Sequence, residues 1–208
     1  MIEGQPLLKV SDFSVCSPVG AFLSKLDFSL HAGEVVLLKG ANGSGKSTFL
    51  RYLFQLLNSV GGQQGVSNIE TSKLKEFSYL PQTLNREFFI PMTLAEVAEL
   101  NACTLLEEDL KLSKLLPSNL RSKLWNVSSG GEKQRSLLVQ SLLPACQLYV
   151  LDEPFNHLDE EAVELLVEVI LHRVRSKGAS FLIATHTLPK GFQDKDVSVK
   201  SLFMGGAA

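Results

Sequence analysis

Nine residues, Gly40-Ala41-Asn42-Gly43-Ser44-Gly45-Lys46-Ser47-Thr48, constrain this chain more than any others. They meet the pattern G-x-x-x-x-G-K-[ST] at every fixed position, between the apolar run Val35-Val36-Leu37-Leu38 and an amphipathic run from Phe49 to Leu57. That setting predicts strand, loop and helix in this order. A polyphosphate packs several negative charges into a small volume and needs many donors at short range. Gly40, Gly43 and Gly45 let backbone N–H groups converge on it, and the following helix adds the positive end of its dipole. Lys46 then reaches the outer phosphates as a point charge, and the Ser47 hydroxyl is placed to ligate the Mg2+ that accompanies them.

The remainder must supply a core for that loop. At 208 residues, with 45% hydrophobic and 20% charged residues, the chain has the make-up of a globular protein with one substantial core. A net charge of −2 gives no general attraction to nucleic acid or anionic lipid, so no nucleic-acid partner is expected. No apolar run approaches the roughly twenty residues of a membrane span. The start, Met1-Ile2-Glu3-Gly4-Gln5, lacks the basic flank and apolar core of a secretory leader, and a cytoplasmic location is the expectation. Cys16, Cys103 and Cys146 are far apart and odd in number, and read as reduced, packed thiols.

Before the loop, Leu8 to Val15, Phe22 to Leu30 and Val35 to Leu38 read as strands, the first two as an antiparallel hairpin at the edge of the nucleotide core. Val60 to Asn68 reads as loop, and Phe77-Ser78-Tyr79-Leu80 as a short strand ending at Pro81-Gln82. From Thr83 to Val127 the pattern turns helical, with a capping box at Thr93-Leu94-Ala95-Glu96 and leucines recurring to Leu124, which predicts a small inserted helical lobe. Ser129-Gly130-Gly131-Glu132 opens a helix that runs to about Leu143 and is stopped by Pro144. Leu148 to Leu151 is a continuous apolar run, the mark of a parallel strand buried on both faces. A helix from about Glu160, with Gly178 beyond its end, a buried strand Phe181 to Ala184 and an edge strand within Val197 to Leu202 complete the reading.

Chemistry-bearing side chains fall at strand ends, where open parallel sheets place ligands. Asp152 can hold the Mg2+, directly or through water, which leaves Glu153 free to orient and polarise a water for attack on the terminal phosphate. A solvated acidic turn is the bland alternative. Gln82 offers an amide oxygen to the metal or its water shell, and His186 can donate to the terminal phosphate as a neutral or a charged ring. Taken singly, Gln82 reads as a surface residue and His186 is weak.

Taken together, the motifs resemble the ATP-binding cassette (ABC) ATPases. Gly40 to Thr48, Tyr79-Leu80-Pro81-Gln82, Ser128-Ser129-Gly130-Gly131-Glu132-Lys133-Gln134-Arg135, Leu148 to Pro154, Asn156-His157-Leu158-Asp159 and Thr185-His186 are similar to that family's Walker A, Q-loop, signature, Walker B, D-loop and switch histidine, in the family's order. The resemblance implies an α/β fold: a P-loop NTPase core from residues 1–82 and 129–208, with an antiparallel β edge subdomain, and a helical subdomain at 83–128. It implies ATP and Mg2+ as ligands. It assigns Lys46, Glu153 and His186 to catalysis, Gly40, Ala41, Asn42, Gly43, Ser44, Gly45, Lys46, Ser47, Thr48 and Gln82 to the nucleotide, and Ser47, Gln82 and Asp152 to the metal. In such proteins Ser129, Gly130 and Gly131 face the ATP of a second subunit, so two copies sandwich two nucleotides. The chain departs from the pattern in three respects: Ser128 replaces the usual Leu, Glu132 the usual Gln, and neither Cys16 nor Ser17 is the aromatic that stacks on adenine. Phe13 or Phe22 is left as a substitute.

A single cassette of this kind resembles the motor subunit of a transporter whose membrane-spanning permease subunits are separate chains. ATP closes a homodimer, or a heterodimer with another cassette subunit, and hydrolysis reopens it. The expected place is the inner face of the cell membrane, peripherally attached through the permease. The segment Phe89 to Val97 is similar to that of importers for manganese, zinc or chelated iron, while the short length is similar to a haem-export subunit. The alternative is a soluble, non-transport cassette of translation, repair or division. Those usually carry two cassettes or a long coiled coil, and no heptad array lies between Lys46 and Ser129.

Overall fold

The computed structural model describes residues 5–16, 22–58, 68–71, 74–82, 88–100, 109–186, 189–192 and 197–204, with the backbone alone at 22–24. Its centre is a five-stranded sheet in the order β5-β6-β7-β3-β8, every pairing parallel. These strands are β3 (Glu34–Lys39), β5 (Phe77–Leu80), β6 (Leu148–Asp152), β7 (Ser180–Ala184) and β8 (Ser198–Phe203). Every residue of β6 and β7 is buried, the outcome expected where continuous apolar runs have both faces covered. Alternation along the pleat sorts the side chains: Val35, Leu37, Tyr149, Leu151, Phe181 and Ile183 enter one core, and Val36, Leu38, Leu148, Val150, Leu182 and Ala184 the other.

One face carries α1 (Lys46–Asn58), whose Lys46, Phe49, Leu50 and Leu53 are buried at helical spacing. A second sheet, β2-β1-β4, closes this core. Its strands β1 (Leu8–Cys16) and β2 (Phe22–Leu30) pair antiparallel as the sequence predicts, with a register shift between Val10 and Phe13 where Asp12 takes φ 54°. Strand β4 (Ile69–Glu70) was not expected. Its two residues pair with Val10 and Lys9, and so short a segment leaves no period to read.

The opposite face carries α5 (Gly130–Leu142), α6 (Glu160–Lys177) and short helical turns. Both long helices end within a residue of their expected bounds because the caps are local: Ser129 and Glu132 form a capping box, Asp159 accepts from Ala162 N–H, and Gly178 takes φ 62° past α6. Where described, the leucine-rich stretch is less regular than its spacing predicts. Its described part holds α2 (Leu94–Ala98, capped by the expected Thr93–Glu96 box), α3 (Leu112–Leu115), α4 (Ser118–Arg121) and a 3-10 turn, Trp125–Val127. Pro117 separates α3 from α4, and Thr93 forms an isolated bridge with Leu124. Arg173 of α6, buried, ties this stretch to the core by reaching Asp109 at 3.0 Å and the Tyr149 hydroxyl at 2.9 Å. Among the cysteines, Cys146 is half-buried, and burial pushes its thiol up to about 11. Cys16 is exposed rather than packed, and Cys103 lies outside the described residues.

Candidate active site

Parallel register brings the strand ends together. Leu80 pairs with Leu151, Asp152 with Ala184, and Ala184 with Leu38, so the segments that follow β3, β5, β6 and β7 leave the sheet on one edge. Backbone bonds fix them there: Thr185 N–H to Leu38 O at 3.0 Å and Glu153 N–H to Ala184 O at 2.9 Å.

In the loop after β3, Gly43 and Gly45 take φ 84° and 97°, conformations open to glycine. Gly40 needs its missing side chain for another reason, since a Cβ there would stand 2.6 Å from Met204 O and 2.7 Å from Ser44 Oγ. Lys46 Nζ is aimed back along the loop, donating to Gly40 O at 2.8 Å and Ala41 O at 3.2 Å. Asn42, Gly43, Gly45, Lys46, Ser47, Thr48, Gln82 and Glu153 line the cleft.

The acidic pair is not a solvated turn, because Asp152 and Glu153 are 2% and 5% exposed. Burial pushes the Asp152 carboxyl up to about 6; the Ser47 hydroxyl bond opposes this and the neighbouring Glu153 adds to it. Ser47 Oγ lies 3.0 Å from Asp152 Oδ1 and 3.2 Å from Gln82 Oε1. Three hard oxygens so grouped, two of them neutral, suit Mg2+ better than a softer metal, since Mg2+ takes few protein ligands and shares the rest with phosphate and water. Glu153 adopts φ 50°, which turns its carboxylate toward Lys46 Nζ at 3.8 Å and His186 Nδ1 at 2.9 Å.

Ser129, Gly130 and Gly131 occupy a different place. Ser129 Oγ accepts from Glu132 N–H at 3.3 Å, Ser129 N–H donates to Glu132 Oε2 at 2.8 Å, and Lys123 Nζ meets Glu132 at 2.7 Å. A Cβ on Gly131 would stand 2.5 Å from His157 O. The aromatic substitutes resolve in part: Phe13 is packed against Phe49 and Tyr52 at centroid distances of 5.7 and 5.2 Å, and the Phe22 side chain lies outside the described residues. Sequence reading gave no role to Gln134, which is 3% exposed and donates to Pro154 O at 3.2 Å. A Gln in an amphipathic helix carries no signal of its burial.

A phosphate loop between a parallel strand and a helix, facing two buried carboxylates at the end of β6, defines a P-loop nucleoside triphosphatase. Residues 23–156 match the ABC transporter family. The zinc import ATP-binding protein ZnuC of Acinetobacter baylyi is 33% identical over 187 residues, spanning 88% of this chain and 68% of that protein. ZnuC of Haemophilus influenzae is 28% identical over 185 residues, spanning 88% and 67%. Among solved structures, an ATP-binding subunit of an ABC transporter superposes with TM-score 0.73 at 27% identity, covering 97% of this chain and 88% of that one. The chain belongs to the ABC transporter family, as an ATP-binding subunit that hydrolyses ATP to power a transporter. Among the described residues no helix is long and apolar enough to cross a membrane.

Proposed function

We propose that the chain drives uptake of zinc, or a related transition metal, through separate permease subunits, and that it does so as a pair of cassettes at the inner face of the cell membrane. The relatives named for zinc import support the cargo. Phe89, Ile90 and Val127 are large, exposed apolar side chains on the leucine-rich stretch, a surface suited to cover by a membrane partner. Residues 83–128 form the lobe that moves against a core of residues 1–82 and 129–208.

In this reading the loop amides and Lys46 bind the outer phosphates of ATP. Ser47, Asp152 and Gln82 would hold Mg2+, which supplies charge neutralisation across those phosphates. Glu153 takes the proton of the attacking water, and His186, hydrogen-bonded to it, orients the carboxylate and donates to the terminal phosphate. Ser129, Gly130 and Gly131 of each copy close on the other's nucleotide, using the N-terminal end of α5.

The convergence of Lys46, Ser47, Asp152, Glu153 and His186 at one sheet edge, linked by contacts of 2.9 to 3.8 Å, carries the reading. Purification of the tagged chain from solubilised membranes, with zinc uptake measured in cells that have or lack it, tests the transport assignment. Uptake that depends on the chain and stops with Glu153→Gln is expected. Unchanged zinc uptake in cells without the chain would sink the cargo.

A further inference from the structure

The turn that follows Glu153 is held from outside by α5, and we propose that Gln134 of that helix is a positioning residue for Glu153. This rests on Glu153 being the base that activates water. Glu153 and His157 carry φ of 50° and 64°, a region unfavourable to residues with a Cβ and maintained only where neighbours hold it. The turn's own backbone bonds are long, Asn156 N–H to Glu153 O at 3.3 Å and Leu158 N–H to Phe155 O at 3.4 Å.

Three residues on one face of the first two turns of α5 add the restraint. Gln134 Nε2 donates to Pro154 O at 3.2 Å, Gly131 admits the His157 carbonyl, and Arg135 Nη2 meets the Asp159 oxygens at 2.9 and 2.8 Å. Gly131 and Arg135 act at the far end of the turn. Gln134 acts one residue from Glu153, and it is buried where Leu or Met would fill the space without an amide to satisfy. An amide retained there fixes the Pro154 carbonyl, and with it the strained φ that aims the Glu153 carboxylate. It also joins Glu153 to the helix whose first residues are proposed to meet the second copy's nucleotide.

Two substitutions in the full chain test this. Gln134→Met keeps volume and removes the donor; kcat for ATP hydrolysis should fall about tenfold with KM little changed, and the thermal midpoint should drop by no more than a few degrees for the unpaired Pro154 carbonyl. Gln134→Glu donates only when protonated, so its rate relative to wild type should rise as pH falls from 8 to 6, a buried carboxyl titrating above its usual range. A Gln134→Met chain with kcat within about twofold of wild type overturns the proposal, as does a Gln134→Glu ratio flat with pH. If Gln134→Met fails to fold, the pH ratio alone decides. Glu153→Gln run in parallel separates the two levels: if it hydrolyses normally, the base assignment has failed, whereas a dead Glu153→Gln beside a normal Gln134→Met removes Gln134 alone.

Discussion

Lys46 Nζ lies 3.8 Å from Glu153 Oε1, with 6% and 5% of the two side chains exposed. One comes from the first turn of α1 and the other from the residue just past β6, so this ion pair joins the phosphate loop to the acidic strand end. Two charges this deep are costly to bury, and the arrangement holds because Lys46 also donates to Gly40 O and Ala41 O while Glu153 also meets His186. The cation is therefore preset close to where outer phosphates would sit.

Lys46→Ala is expected to abolish most nucleotide affinity. The amide cradle survives, but the cation that would face the phosphates, 3.8 Å from Glu153, is gone. Titration of a fluorescent ATP analogue measures it, and unchanged affinity would remove Lys46 from the phosphate site.

Discrimination among purine nucleotides should be weak. Phe13 is committed to Phe49 and Tyr52, and the exposed residue at the end of β1 is Cys16, which cannot stack on a base. Binding then draws mainly on phosphates and metal, common to every nucleoside triphosphate. GTP should compete with ATP within about tenfold. A much larger preference for ATP would point to Phe22 or to a second subunit.

What the sequence made legible follows the range of the forces involved. The phosphate loop, the capping box at Ser129, Gly178 past the end of α6, and the apolar runs of β6 and β7 are local, and each lies where the residues place it. The grouping of Ser47, Gln82, Asp152, Glu153 and His186 was readable because strand ends in a parallel sheet share one edge. Contacts between distant segments were not readable. Met204 against Gly40, His157 against Gly131 and Gln134 on Pro154 have no periodicity behind them, and β4 exists only because β1 offers it an edge.

The start of α6 should carry a pH signature. The Ala162 N–H, aided by Arg135, holds the Asp159 carboxyl below the usual carboxylate range. A group with a lowered pKa in the fold adds stability that is present above the ordinary Asp value of about 3.9 and is lost as pH falls through the folded value. Asp159→Ala should cost about 1 kcal/mol at pH 7, the usual worth of an N-cap, with the difference shrinking below about pH 4. Urea unfolding of both proteins at pH 7, 5 and 3.5 checks it; a difference that does not change with pH would mean the charge contributes nothing.

Glu153→Gln separates the roles that meet at this carboxylate. The amide keeps the size and can still bond to His186, but it loses the charge that faces Lys46, and it cannot take a proton from water or polarise it with a full charge. Hydrolysis should fall by roughly 10² to 10⁴, the usual loss with a general base, while ATP affinity is retained because the loop and Lys46 are untouched. If each chain's Ser129 closes on the other's nucleotide, ATP bound without turnover should also accumulate a stable dimer. With Mg2+ as the proposed metal, wild-type protein should empty its own site when Mg2+ is present, so wild type without Mg2+ is the control. Light scattering after size exclusion, with and without ATP, reads the dimer, and phosphate release reads turnover. Normal hydrolysis in Glu153→Gln would remove the base assignment. A variant that binds ATP, does not hydrolyse it and stays monomeric would return Ser129 to the capping of α5 alone, because the closure proposed for it would then have failed under the condition that most favours it.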